Sequence, residues 1–122
     1  MDAFVTAVLD RDVDAMADLL ADDVVFRSPV VFRPYQGKAA VLQILTAVMQ
    51  VFGEFRYTRR MSDGAGSHAL VFESSVGDRA VHGCDFVTTD VHGRIAELDV
   101  MVRPLSGAHA LAEAMARQLE QS

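Results

Sequence analysis

The stretch of sequence that decides the fold is SHALVFESSVGDRAVHGCDFVTT, residues 67–89. Apolar and polar residues alternate on both sides of the Gly77-Asp78 pair, and a two-residue turn of this kind is typical of a β-hairpin. Similar alternation precedes and follows the hairpin across further glycine-containing turns. The sequence therefore predicts a four-stranded antiparallel meander, with strands over residues 54–61, 67–76, 79–89 and 94–103.

Helical patterns flank this meander. Apolar residues recur at helical spacing over residues 2–9, in a second short helix with Asp12 as N-cap, over residues 38–52, and from residue 106 onward. Gly53 follows the central helix and is expected in the left-handed C′ position.

One strand is predicted before the central helix, over residues 24–28, where Pro29 ends it. An irregular arm follows, and Tyr35 in this arm is expected either at a cavity mouth or on the surface. Helices at the two ends and strands between them predict an α+β fold.

Composition bounds the class of protein. The chain has 122 residues, which suits one domain over residues 1–122 with a single core. Lys and Arg number 11 against 17 Asp and Glu, a net charge of −6, and no basic cluster exceeds the pair Arg59-Arg60. We therefore expect neither nucleic acid nor a membrane surface as a partner.

Targeting and metal-binding signals are also absent from the sequence. The N-terminus lacks a signal-peptide pattern, and no apolar stretch approaches the roughly 20 residues of a membrane span. The single cysteine, Cys84, excludes an internal disulfide and a cysteine-rich zinc site. Neither a phosphate loop nor a nucleotide-binding motif occurs. We expect a cytoplasmic protein that uses no metal and no cofactor.

Strand alternation assigns the two faces of the sheet. The inner face should meet the helices and, with them, enclose an apolar cavity for a small apolar molecule. The residues expected to line it are Phe4, Phe26, Leu45, Phe72, Val81, Leu98 and Val100, with the polar side chains of Ser28, Tyr57 and Ser74. In the last strand, Ile95 falls on the opposite, outer face.

The outer face is also rich in apolar side chains. This face carries Ala80, Cys84, Phe86 and Met101, although one face of such a sheet is normally exposed to solvent and polar. A homodimer formed through this face would cover them; an ordinary half-exposed sheet is the alternative.

The order of elements resembles the nuclear-transport-factor-2-like superfamily, which includes ketosteroid isomerases and SnoaL-like polyketide cyclases. The resemblance rests on ADDVVFRSP at residues 21–29, Gly37 at the start of the central helix, GCDF at residues 83–86 and HGRIAEL at residues 92–98. It implies a cone-shaped barrel in which a curved, mixed sheet wraps around N-terminal helices, with a C-terminal helix. It also implies a deep apolar pocket and a dimer.

The ketosteroid-isomerase mechanism is not expected here. In that family the general base stands just before a proline at the end of the first strand, and this position is Ser28. A serine hydroxyl without a neighbouring histidine is too weak a base to replace a carboxylate. The two tyrosine positions of the family correspond to Phe4 and Leu45, so only the strand acid is retained, as Asp85.

The SnoaL-like cyclases match more closely, through Asp85-Phe86, Gly93-Arg94-Ile95 and Glu97. This resemblance implies that Asp85 is an acid/base, as in the intramolecular aldol closure of those enzymes. The chain departs from the family at Leu98-Asp99, where a His-Trp pair often stands.

Asp85 is the one candidate catalytic residue. Its apolar neighbours on the inner face predict a raised pKa, because desolvation disfavours the charged carboxylate. The other acidic residues of the meander point outward, so no second carboxylate is expected in the cavity, and hydrolysis by a carboxylate pair is disfavoured. Two functions remain open: a cofactor-free isomerase or cyclase acting on a small apolar carbonyl compound, and a non-catalytic ligand-binding or dimerisation module in which Ser28 or Tyr57 merely holds Asp85.

Overall fold

A six-stranded, curled and unclosed sheet with four helices makes up the described part of the chain, residues 1–120 of the computed structural model; residues 121 and 122 of the predicted domain lie outside it. The helices are α1 (Asp2–Leu9), α2 (Val13–Leu19), α3 (Lys38–Val51) and α4 (Leu105–Glu120). The strands are β1 (Leu20–Arg27), β2 (Tyr35–Gln36), β3 (Arg56–Ser62), β4 (Ser67–Val76), β5 (Arg79–Thr89) and β6 (Ile95–Arg103). The α+β prediction is confirmed.

The sheet runs in the order β2-β1-β6-β5-β4-β3. The meander β3 to β6 is antiparallel throughout, as predicted, and its strand ends fall within two residues of the expected positions. Strand β1 pairs in parallel with β6, which makes the sheet mixed. This pairing joins residues that are about 70 positions apart in sequence, so the first and last strands of the chain lie side by side in one sheet.

Two predictions about the first half of the chain are corrected. Strand β1 begins at Leu20 rather than at residue 24, because Leu20 already pairs with Ile95. The arm contains the short strand β2, whose Tyr35 pairs with Phe26.

Gly53 is not left-handed. Its N–H donates to the carbonyl of Ser75 at 2.9 Å, and a Cβ at residue 53 would meet the Ser75 hydroxyl at 2.5 Å. The glycine is therefore needed for close approach to β4 rather than for a positive φ.

The prediction that Ile95 faces outward is wrong. Thr88 pairs with Glu97 while Thr89 pairs with Ile95, so Ala96 is an extra residue in β6. Such a bulge resets the alternation of side chains along a strand. Ile95 consequently turns into the core, where it is almost fully buried.

The core lies between the helices and the inner face of the sheet. Buried side chains from α1, α2 and α3 meet those of β1, β4, β5 and β6 in one cluster. Asp12 caps α2 as predicted, with its side chain accepting from the N–H of Ala15 at 3.0 Å. Among residues 1–120, no helix combines the length and apolar character needed to cross a membrane.

Candidate active site

A cavity of about 620 Å³ lies between the helices and the inner face of the sheet. Its walls are largely apolar, and its volume falls within the roughly 300–1,000 Å³ of small-molecule pockets. The predicted site residues that line it are Phe4, Phe26, Ser28, Leu45, Phe72, Asp85, Leu98 and Val100.

Val81 and Ser74 do not line the cavity, which corrects their predicted role. The two residues pair across β4 and β5, and Val81 packs against α4, where a Cβ at Gly107 would lie 2.7 Å from its Cγ1. The hydroxyl of Ser74 is buried and makes no hydrogen bond within residues 1–120. The alternation of side chains predicted the inner face correctly for both residues, but helix α4 covers the end of that face where they lie.

Asp85 is the buried ionisable side chain of the cavity wall. The hydroxyl of Tyr57 donates to its Oδ2 at 2.7 Å, reaching across β4 from β3 to β5. The other carboxyl oxygen, Oδ1, has no hydrogen-bond partner in the described part of the chain. Tyr57 does not itself line the cavity, so its role is to hold the carboxyl group that does.

Burial raises the pKa of Asp85 from its ordinary value of 3.8 to about 7, and the hydrogen bond from Tyr57 offsets part of the rise. Burial and the neighbouring carboxylate raise the pKa of the Tyr57 hydroxyl, which therefore stays protonated as the donor. Both protonation states of Asp85 are thus present near neutral pH. A carboxyl group in this condition can both accept and return a proton.

An aromatic wall positions Tyr57. Phe55 stacks on Phe72 with ring centroids 4.6 Å apart and meets the edge of the Tyr57 ring at 5.1 Å. Phe52 contacts both Phe55 and Phe72 from the end of α3. These rings fix the orientation of the hydroxyl that reaches Asp85.

Two charged residues of the cavity lining were not predicted from the sequence. Arg11, in the turn between α1 and α2, lines the cavity and donates to the carbonyl oxygens of Met49, Phe52 and Gly53 at the end of α3. Glu54 also lines the cavity, which corrects the expectation of a single carboxylate there. Both are exposed and lie outside regular elements, where side-chain periodicity gives no signal.

Comparison with known proteins assigns the chain to a family. A family model for the SnoaL-like domain matches residues 1–98. The chain belongs to the SnoaL-like family. No curated protein matches this SnoaL-like chain.

Solved structures resemble this SnoaL-like protein over nearly its whole length. A steroid delta-isomerase from Pseudomonas aeruginosa is 39% identical, with a TM-score of 0.93 over 97% of this chain and 87% of its own. An uncharacterised protein with a cystatin-like fold from Silicibacter pomeroyi is 34% identical, with a TM-score of 0.93 over 98% of this chain and 84% of its own. The epoxide hydrolase/cyclase-like enzyme SalBIII is 18% identical, with a TM-score of 0.70 over 85% and 87% of the two chains, which shows a shared fold alone.

Proposed function

We propose that this SnoaL-like protein is a cofactor-free enzyme that moves a proton beside the carbonyl group of a small apolar compound, with Asp85 as its acid/base. One observation carries the proposal: the carboxyl group of Asp85 is held through Oδ2 by Tyr57, while Oδ1 is unpartnered among residues 1–120 on the wall of an apolar cavity. Most buried polar atoms have a hydrogen-bond partner in the protein or an ordered water, so an Asp85 oxygen that faces the cavity without a protein partner is available to a ligand.

The proposed first step is enolisation. The ionised carboxylate takes a proton from the carbon next to the carbonyl group, and the electron pair of the broken C–H bond forms the enolate. Asp85 is then a neutral carboxylic acid, which its buried site favours. A pKa near the operating pH suits this role, because the same group must accept the proton and then release it.

The fate of the enolate separates the two reaction types. In an isomerase, Asp85 returns its proton to the γ carbon of the enolate, and a double bond moves into conjugation with the carbonyl group. In a cyclase, the enolate carbon attacks a second carbonyl group of the same molecule, and the proton goes to the alkoxide oxygen. The 39% identical relative is a steroid delta-isomerase, which favours a double-bond shift.

The proposed isomerase differs from the ketosteroid isomerases in the position of its base. By the resemblance to that family, Ser28, Phe4 and Leu45 stand at the positions of its base and two tyrosines. Proton transfer is therefore assigned to Asp85 on β5.

Solvent deuterium exchange tests the shared first step. We would incubate the protein in D₂O with a series of β,γ-unsaturated ketones, from cyclohex-3-enone to a Δ5-3-ketosteroid, and follow deuterium at the α carbon and the conjugated product by NMR. Asp85→Asn should slow both by about 100-fold or more, since general acid–base catalysis contributes roughly 10²–10⁴-fold.

Asp23→Asn is the matched control, because Asp23 is an exposed carboxylate on β1 away from the cavity lining. Its exchange rate should equal that of the wild type. Equal rates for Asp85→Asn and the wild type would contradict the proposal. Ligand binding without exchange of any ketone in the series would instead support the non-catalytic binding module.

A further inference from the structure

We infer that Ser28 and Tyr35 form a hydroxyl pair that binds the carbonyl oxygen of the substrate, about two strands away from Asp85 on the inner face of the sheet. The inference deepens the proposed function, because it assigns the groups that would stabilise the enolate. It rests on which hydrogen-bond donors line the cavity and on where the strand register places them.

The cavity wall offers few donors. Within residues 1–120, and apart from Asp85 in its protonated form, the lining side chains that carry an N–H or a hydroxyl are those of Arg11, Ser28 and Tyr35. Arg11 is exposed, and its guanidinium group is already bonded to three carbonyl oxygens of the α3 terminus. Ser28 and Tyr35 are half-buried, so they are the donors available to a bound oxygen.

Both hydroxyl protons are free among the described residues. The Oγ of Ser28 accepts from the N–H of Val30 at 3.1 Å, which fixes the oxygen and leaves its own proton to donate. Tyr35 contacts the ring of Phe26, with centroids 6.3 Å apart, but its hydroxyl has no partner within residues 1–120. A half-buried donor pair on an apolar wall is suited to a ligand oxygen.

The strand register places Ser28 two strands away from Asp85 on the same inner face of the sheet. Arg27, the last residue of β1, pairs with Asp99 on β6, and the same register continued by one residue sets Ser28 beside Val100. Val100 in turn pairs with Asp85 across β6 and β5. Ser28 and Asp85 therefore lie two strand spacings apart, roughly 10 Å at about 4.8 Å each, with the side chain of Val100 as the apolar floor between them.

Tyr35 approaches the same point from β2. It pairs with Phe26 in the antiparallel β1–β2 ladder, and Ser28 is two residues further along β1. Diagonal neighbours of this kind are about 7–8 Å apart, within reach of an aromatic side chain. The two hydroxyl groups can thus converge on one oxygen while the rest of the ligand extends over Val100 toward Asp85.

This arrangement assigns proton removal to Asp85 and stabilisation of the carbonyl oxygen to the Ser28–Tyr35 pair, at two separate places on the cavity wall. When Asp85 removes a proton from carbon, negative charge develops on the carbonyl oxygen, and donors placed at that oxygen lower the barrier. Tyr57 cannot serve there, because its hydroxyl is bonded to Asp85. The matching substrate is an enolisable ketone whose oxygen faces β1 and whose α carbon faces β5.

The test compares 2-naphthol with naphthalene by isothermal titration calorimetry. The two share a ring system, but only the naphthol has an oxygen for the hydroxyl pair. Wild-type protein should bind 2-naphthol more tightly, and Tyr35→Phe and Ser28→Ala should each weaken that binding by about 3- to 10-fold, as the loss of one hydrogen bond does. Their affinity for naphthalene should not change.

Ser62→Ala is the control for Ser28→Ala. The Oγ of Ser62 accepts from the N–H of Gly64 at 3.1 Å, the same local bond as at Ser28, but far from the cavity lining. Tyr35→Phe keeps the ring contact with Phe26, and its thermal unfolding should match that of the wild type. In turnover of a ketone substrate, both cavity variants should lower kcat by about 100-fold or more with little change in KM, as the loss of an oxyanion donor does.

Three results would overturn the inference: no preference of the wild type for 2-naphthol, an unchanged affinity for 2-naphthol in the cavity variants, or equal losses of both affinities in those variants. The naphthol measurement needs no catalysis. A preference that depends on Ser28 and Tyr35, in a protein without ketone exchange, would refute the proposed enzyme and leave the oxygen-binding site standing.

Discussion

Gly83 and Phe72 face each other across β5 and β4, and the Phe72 ring occupies the space that a side chain at residue 83 would need. A Cβ at residue 83 would also lie 2.6 Å from the carbonyl oxygen of Met101 on β6. The glycine thus allows Phe72 to lie against the sheet, where it supports both the aromatic wall and the cavity.

Gly83→Ala should therefore destabilise the fold. Overpacking in a well-packed core costs about 1–3 kcal/mol, and urea unfolding followed by circular dichroism measures the change. Combining it with Phe72→Leu should recover part of the loss, since a smaller side chain yields to the new methyl group. Additive losses in the double variant would mean that Phe72 and residue 83 do not compete for space.

The buried carboxyl group of Asp85 should make the protein less stable as pH rises. Its folded-state pKa of about 7 lies above the ordinary 3.8, so between these values the folded state binds more protons than the unfolded state. The free energy of unfolding should fall through that window, by up to about 4 kcal/mol at about 1.4 kcal/mol per tenfold change in ionisation constant. Urea unfolding at pH 4.5 and 7.5 should show the fall in the wild type and its loss in Asp85→Asn.

Tyr57→Phe should raise the pKa of Asp85 further. The hydrogen bond from Tyr57 stabilises the carboxylate form, so its removal leaves burial unopposed. The ¹³C shift of the Asp85 carboxyl carbon, followed against pH by NMR, should titrate above 7 in this variant. Tyr35→Phe removes a hydroxyl that does not touch Asp85 and should leave its titration unchanged; equal curves for all three proteins would contradict the assigned role of Tyr57.

Arg11 should stabilise the end of α3. Its guanidinium group bonds three carbonyl oxygens there, while its backbone adopts a positive φ of 53°, which L-residues disfavour. Arg11→Ala should lower stability through the lost hydrogen bonds alone, because alanine bears the same backbone strain as arginine at this position. Arg11→Gly should lower it by about 1 kcal/mol less, because glycine relieves that strain. Thermal and urea unfolding compare the two, and equal losses would mean that the turn relaxes.

The outer face of the meander is proposed as the interface between two copies of the chain. Met101, 62% exposed, pairs with the half-buried Cys84, and Phe86 and Ala80 lie exposed on the same strand as Cys84. Sedimentation should show a dimer for the wild type and a monomer for Met101→Lys. Val91→Lys, an equally large change at an exposed turn residue, should remain dimeric; a monomeric wild type would contradict the proposal.

Sequence periodicity predicted much of this fold and part of the site. The alternation around Asp85 placed it correctly on the inner face beside Val100, because both lie in regular strands where parity holds. The alternation failed for Ile95, because a strict two-residue period cannot reveal the extra residue in β6. It also missed Arg11 and Glu54, which reach the cavity from connections between elements, and it did not anticipate that α4 covers Val81.

Because β1 pairs in parallel with β6, the residues of the candidate site can come together only late in synthesis, after β6 has been made. Ser28 precedes its neighbour Val100 by about 70 residues, and the strand of Asp85 is joined to that of Ser28 only through β6. A nascent chain that ends before β6 can form the β3–β4 and β4–β5 hairpins. It lacks the strand that joins β1, next to Ser28, to β5, which carries Asp85. Amide hydrogen exchange should accordingly show full protection of β1 only once residues 95–103 have joined the sheet, because β2 pairs with β1 at Val25 and Phe26 alone.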